Sequence, residues 1–228
     1  MIYLAKLAIN LQEREGRRDI TNCHQLHRTV MSAFGDSAPG IPARKDKNIL
    51  FRIIPGNGAQ ASLYVQSNVA PDVSRWEQKR HLTVDRSYKD GYMHVPEPVR
   101  IFPPEILLNF NLLACAAKKT GGTTRQERLN GQKTNSRRIG LTNPESRLDW
   151  LHKKAPQGGF QLISVYENGS RTIIGMKPDG TKIIHVGTCF RGLLKVHDSG
   201  QFVECLQTGF GAGKAHGLGL LMVSRYQS

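Results

Sequence analysis

Long apolar runs and basic amphipathic helices are both missing from this 228-residue chain, so a membrane surface is a poor candidate partner. Its four cysteines, Cys23, Cys115, Cys189 and Cys205, lie far apart with no CxxC pair. Neither a disulfide framework nor a zinc site is indicated. The Met1–Leu11 stretch lacks a cleavage site and alternates too much for a signal peptide, which predicts a reduced, cytoplasmic protein. Carboxylates are scarce and unclustered, whereas two-metal hydrolases need them as ligands, and no cofactor is expected. With 18 Asp and Glu against 32 Lys and Arg, the net charge is +14, a balance that favours a polyanion, nucleic acid first.

Ile2–Ile9 reads as a starting strand and Arg14–Arg18 as a charged loop. Asp19 is a good cap for a helix from about Ile20 to Phe34, with Ile20, Cys23, Leu26, Val30 and Phe34 on one face. His24 and His27 lie one turn apart beside that face. Three readings of them stay open: a hydrogen-bonded core or rim histidine, a metal site with Cys23, or an acid–base pair. Imidazole suits the last because its pKa, about 6.5, lies near neutrality. Asn48–Ile54 and Ala61–Ser67 form a predicted hairpin around Pro55-Gly56-Asn57-Gly58. A short helix over Pro71–Lys79 and a strand over His81–Val84 complete a β-α-β-β-α-β order. Pro96, Pro98, Pro103 and Pro104 mark a linker, which divides the chain into domains at 1–102 and 103–228.

The second half opens with a strand over Ile106–Cys115. From 118 to 138 follow Lys118, Lys119, Arg125, Arg128, Lys133, Arg137 and Arg138 against one acid, Glu127, a net +6 over 21 positions. This is either a solvated loop or a set of phosphate contacts thin enough for the narrow A-form major groove. Asn143 and Pro144 open a helix that carries Arg147, Trp150, Lys153 and Lys154. Phe160–Glu167 and Arg171–Met176 read as strands joined by Asn168-Gly169, followed by strands at Ile183–Val186 and Phe190–Val196. A Gln201–Thr208 helix leads into Gly209-Phe210-Gly211-Ala212-Gly213-Lys214-Ala215-His216-Gly217-Leu218-Gly219 and a last strand. Glycines there can approach backbone or phosphate closely, and Lys214 adds a charge. A nucleotide P-loop is ruled out, because Thr208 and Ala215 stand where it needs Gly and Ser or Thr, and the helix precedes the loop. A ligand-free turn is the plain alternative.

That glycine pattern, with Phe190–Asp198 upstream, resembles the C-terminal signature of the RAMP superfamily of CRISPR proteins, and within it the CasE family of repeat-processing endoribonucleases. The Trp150-Leu151-x-x-Lys154…Gly159-Phe160 spacing resembles the same family's second-domain helix. The resemblance implies an α+β fold of two tandem ferredoxin-like domains, and an RNA hairpin of the CRISPR repeat on a basic face. It implies metal-independent cleavage at the 3′ base of the stem and retention of the product with other Cascade subunits. His27 matches the family's catalytic histidine, while His24 stands where tyrosine is frequent. Lys154 is the candidate for stabilising the phosphorane. RNA contacts are expected from the basic segment, from Arg147 and Lys153, and from Gly209, Gly211, Gly213 and Lys214. A non-catalytic guide-RNA-binding RAMP subunit is the main alternative. An RRM-like module is weaker, since Phe51 and Tyr64 lack the flanking pattern.

Overall fold

In the computed structural model, which describes residues 1–37, 40–119 and 138–227, two antiparallel sheets follow one another along the chain. The first joins β1 (Ile2–Asn10), β2 (Leu50–Pro55), β3 (Gln60–Ser67) and β4 (Leu82–Val84) in the order β2-β3-β1-β4, with β5 (Met93–Val95) beside β1. The second joins β6 (Leu107–Ala114), β9 (Phe160–Met176), β10 (Lys182–Val196) and β11 (Leu221–Arg225) in the order β11-β6-β10-β9. Between them in sequence, β7 (Ala117–Lys119) pairs with β8 (Arg138–Gly140) as a small ribbon at the root of the basic segment. Ranking each sheet's main strands by chain position gives 2-3-1-4 in the first, and the second has the same order read from its other edge. That is the ferredoxin-like order, and the protein is a tandem of two such folds. Among the described residues no helix is long and apolar enough to cross a membrane.

Alternation decides which face of each sheet is buried. In β6, Leu108, Phe110 and Leu112 point to one side and pack with Phe160, Phe190, Phe202 and Phe210 under the helices Pro144–Lys154 and Ser199–Thr208. In the first sheet Leu7, Ile9, Phe51 and Leu63 pack against Leu26, Val30 and Trp76. Asn143 caps its helix as expected, its Oδ1 accepting from the Glu145 N–H at 2.8 Å.

Two expectations fail at the start of the chain. Arg14–Thr21 is helix α1, and a break at extended Asn22 separates it from α2 (Cys23–Met31). Asp19 is therefore no cap. It is fully buried inside α1, where its carboxylate meets His81 Nε2 at 3.1 Å and Arg18 at 3.0 Å. The break also turns Ile20 away from the core, leaving it 39% exposed. Gly16 permits the helix, since a Cβ there would lie 2.0 Å from the Asn10 carbonyl oxygen. Smaller differences follow: Pro71–Lys79 holds only the turn Ser74–Glu77, and the proline linker contains the turn Pro98–Ile101.

The largest difference concerns β9 and β10. Asn168-Gly169 does not turn the chain; it forms a bulge opposite Cys189, and β9 runs on for 17 residues beside 15 in β10. The reversal comes at Lys177–Thr181, where the Lys177 N–H donates to the Thr181 carbonyl at 3.0 Å. Only Thr188–Lys195 of β10 also pairs with β6. The remainder, Arg171–Met176 against Lys182–Gly187, projects as a two-stranded arm onto α2 of the first unit.

Candidate functional site

Docking of the arm on α2 builds the site. Asn22 caps α2, its Oδ1 accepting from the His24 N–H at 3.1 Å, and it also meets the arm as a strand would. Asn22 Nδ2 donates to the Met176 carbonyl at 3.3 Å, and the Met176 N–H donates back to Oδ1 at 3.2 Å. Gly175 lets the two come this close, because a Cβ would sit 2.6 Å from Cys23 Sγ and 3.1 Å from the His24 nitrogen. The first turn of α2, with His24 and His27, is thus fixed against the second unit.

Four imidazoles gather there. Alternation on β10 sends half-buried His185 to the side where the glycine-rich loop carries half-buried His216, and their Nε2 and Nδ1 atoms lie 2.9 Å apart. Their rings stack at 5.0 Å. Burial, then His185, then the charges of His27, His24 and Lys177 push the His216 imidazole down to about 4. Burial lowers His185 as well. His27 stands 6.3 Å from the Phe51 ring, and its Nδ1 is buried with no hydrogen-bond partner among the described residues. Charging that ring would place a donor where no acceptor waits. Burial foremost, and then His24 and Arg44, hold its pKa below the ordinary value, which favours the uncharged ring. His185 and His216 escaped sequence reading because they lie far from α2 in the chain; a histidine inside the glycine pattern was the only signal.

The glycine-rich loop separates these imidazoles from a cleft of about 660 Å³. Lys118, Arg138, Lys153, Lys154 and Lys214 line the cleft with Trp150, against the single acid Glu204 among the described residues. Lys214 and Arg138 also line the shallower hollow holding His185, His216 and Arg44. Lys214 therefore faces both spaces. Burial lowers its pKa, with Arg44 and Arg138 pushing the same way.

The structure sorts the remaining sequence candidates. Lys154 donates to Gln157 Oε1 at 2.8 Å on the cleft wall and is not among the groups that shift His27 or His216. Arg147, expected as an RNA contact, is engaged within the protein. Its Nε and Nη2 form a two-pronged ion pair with Glu167, at 2.9 and 2.6 Å, so it ties its helix to β9. Gly209, Gly211 and Gly213 have φ of 77°, 81° and 75°, but their close neighbours are protein atoms: Leu50, Trp150 and Leu218. They shape the loop by packing against these residues. Lys119 pairs through its backbone with Arg138 in the ribbon. Arg125, Arg128, Lys133 and Arg137 lie outside the described residues.

Two units of ferredoxin-like order with a glycine-rich loop before the last strand define a protein of the RAMP type. A family model described as "CRISPR associated protein" matches residues 2–225, and the chain belongs to that family. The CRISPR-associated endoribonuclease Cse3 of Thermus thermophilus is 28% identical over 238 residues, covering 98% of this chain and 100% of the relative. A structure of CRISPR endoribonuclease Cse3 bound to 19 nt RNA superposes with a TM-score of 0.75 at 26% identity, covering 97% of this chain and 99% of that one. A chain of a CRISPR RNA-guided surveillance complex, pre-nicking, shares the fold with a TM-score of 0.67 at 22% identity, covering 98% and 100%.

Proposed function

We propose that this protein is a CRISPR repeat-processing endoribonuclease that binds the repeat RNA hairpin along the basic cleft and cuts it beside His27. The carrying observation is the histidine cluster: burial lowers the pKa of His27, and the glycine-rich loop that carries His216 and Lys214 lines both the histidine hollow and a cleft with five cationic side chains. Neutral His27 takes the proton of the ribose 2′-OH at the base of the stem. The 2′-oxygen attacks the adjacent phosphorus, the bond to O5′ breaks, and O5′ takes up a proton. The products are a 2′,3′-cyclic phosphate and a 5′-OH. Lys214, facing both spaces, is placed to offset the charge that develops on the phosphorane, and Lys154 serves as a phosphate contact further along the cleft.

Arg44 beside His27 and Lys177 beside His216 are cations that oppose a divalent ion there by charge. Cleavage is therefore read as metal-independent. Retention of the product with other Cascade subunits, in the cytoplasm, completes the reading and rests on family membership. The test is incubation of the protein with hairpin repeat RNA in excess EDTA, with the product ends mapped. A single cut at the 3′ base of the stem, ending in a cyclic phosphate, is expected. Intact RNA at saturating protein, or a cut restored only by added metal, would overturn the reading.

A further inference from the structure

A second cationic hollow lies on the opposite face of β10 from the aromatic core, about 240 Å³ in volume. Alternation places Cys189 and Arg191 of β10 on this face, with Asn111 of β6 across from Arg191, and Arg171 of β9, which pairs with Gly187, lines the same hollow. The bulge at Asn168-Gly169 forms its rim. From the first unit, Arg52 of β2 reaches over and closes it, donating to the Asn111 carbonyl at 3.2 Å and to Cys189 Sγ at 3.6 Å.

Three guanidiniums thus meet in one hollow, and among the described residues no carboxylate lines it. Arg52 is only 6% exposed and its Nε has no hydrogen-bond partner among them. None of the three forms an ion pair among the described residues. Burying a cation without a counter-charge is costly, and proteins pair such groups or supply an anion. Planar guanidinium forks match phosphate oxygens in pairs.

We propose that Arg52, Arg171 and Arg191 form a phosphate-binding site at the junction of the two units, separate from the histidine cluster and the Trp150 cleft. The phosphate comes either from a single-stranded RNA segment beyond the hairpin or from a free phosphate ion. Both present the same tetrahedral oxygens to the same forks. The site does not depend on the nuclease reading, because binding there needs no cleavage.

The probe is inorganic phosphate, compared with chloride at equal ionic strength, and the readout is the melting temperature of the full chain. At about five times its dissociation constant, phosphate is expected to raise Tm by about 2–4 °C. An Arg171→Ala/Arg191→Ala double variant should lose that rise, while Lys153→Ala/Lys154→Ala, which alters only the other cleft, should keep it. Arg191→Glu, at an exposed position, should raise Tm in chloride by pairing with Arg52 and Arg171, and should abolish the phosphate response. An equal response in wild type and the double variant would overturn the proposal. A second arm identifies the source, using hairpin RNA with and without a single-stranded extension. If the double variant loses the affinity gained from the extension, the phosphate belongs to RNA. If that gain persists while the phosphate response is lost, the site takes the free ion.

Discussion

The two ferredoxin-like units share one strand order and differ in one hairpin. In the first unit β2 and β3 have six and eight residues and stay within their sheet. In the second, the equivalent β9 and β10 have 17 and 15, and the excess becomes the arm that docks on α2. The helix after each unit's first strand also differs. α2 carries His24 and His27 at the arm, whereas Pro144–Lys154 carries Lys153 and Lys154 to the cleft. One topology thus gives a histidine-bearing end and a cationic cleft, and hairpin length joins them.

The division of labour is broken most severely at His27. His27→Ala should slow single-turnover cleavage by about 10²–10⁴-fold at saturating protein while hairpin affinity stays near wild type. Equal rates would leave a binding subunit as the better account, and His24→Ala is expected to be milder. Gly175→Val should come next, because its side chain overlaps Cys23 Sγ and the His24 nitrogen. Overpacking of this kind costs about 1–3 kcal/mol, read as a lower Tm, and cleavage should fall while cleft binding persists. Asn22→Ala removes a cap and both bonds to Met176, with a cost of about 1 kcal/mol in denaturant titration. An unchanged cleavage rate in both variants would show that arm docking does not set the site.

Two smaller effects sharpen the contrast. Arg137→Ala/Arg138→Ala should flatten the slope of log K against log salt by about one unit for each phosphate the protein no longer neutralises. A slope equal to wild type would place the RNA away from the ribbon and its basic segment. The histidine cluster should instead show in acid. His216 falls to about 4 in the folded protein against about 6.5 when unfolded, so the folded state binds fewer protons between those values. Stability from this group is full above about pH 6.5 and is lost as pH falls toward 4. His185 and His27 act in the same direction. His216→Gln should make the decline of Tm between about pH 6.5 and 4 shallower, and an equal decline would remove His216 from that role.

The sequence was most readable where one residue does one local job. Asn143 before Pro144 marked a helix start, and Pro55-Gly56-Asn57-Gly58 between the strands read at Asn48–Ile54 and Ala61–Ser67 marked a hairpin. Reading failed where tertiary contacts override a local signal. Asn168-Gly169 has turn chemistry, yet with β10 paired on both sides of it the chain bulges and goes on. Arg14–Arg18 looked like a loop because it is charged and holds Gly16, and the need for that glycine lies in the Asn10 carbonyl. In the site, His27 was singled out only through the family resemblance, at the position of that family's catalytic histidine. The His185–His216 pair was not singled out, since no spacing in the chain announces a contact between a strand and a distant loop.

The arm leaves β9 as the outer strand of its sheet, a row of backbone groups open to lateral pairing with another chain. Ile174, Met176 and Ile184, each close to half exposed, make its tip more adhesive. The bulge interrupts the row midway, and Asn22 closes its end by mimicking a neighbouring strand with a side-chain amide. Detaching the arm would uncover a sticky margin at the moment that His24 and His27 lose their support. Solubility on storage and cleavage activity should therefore decline together in Asn22→Ala, with aggregates growing edge to edge from this strand.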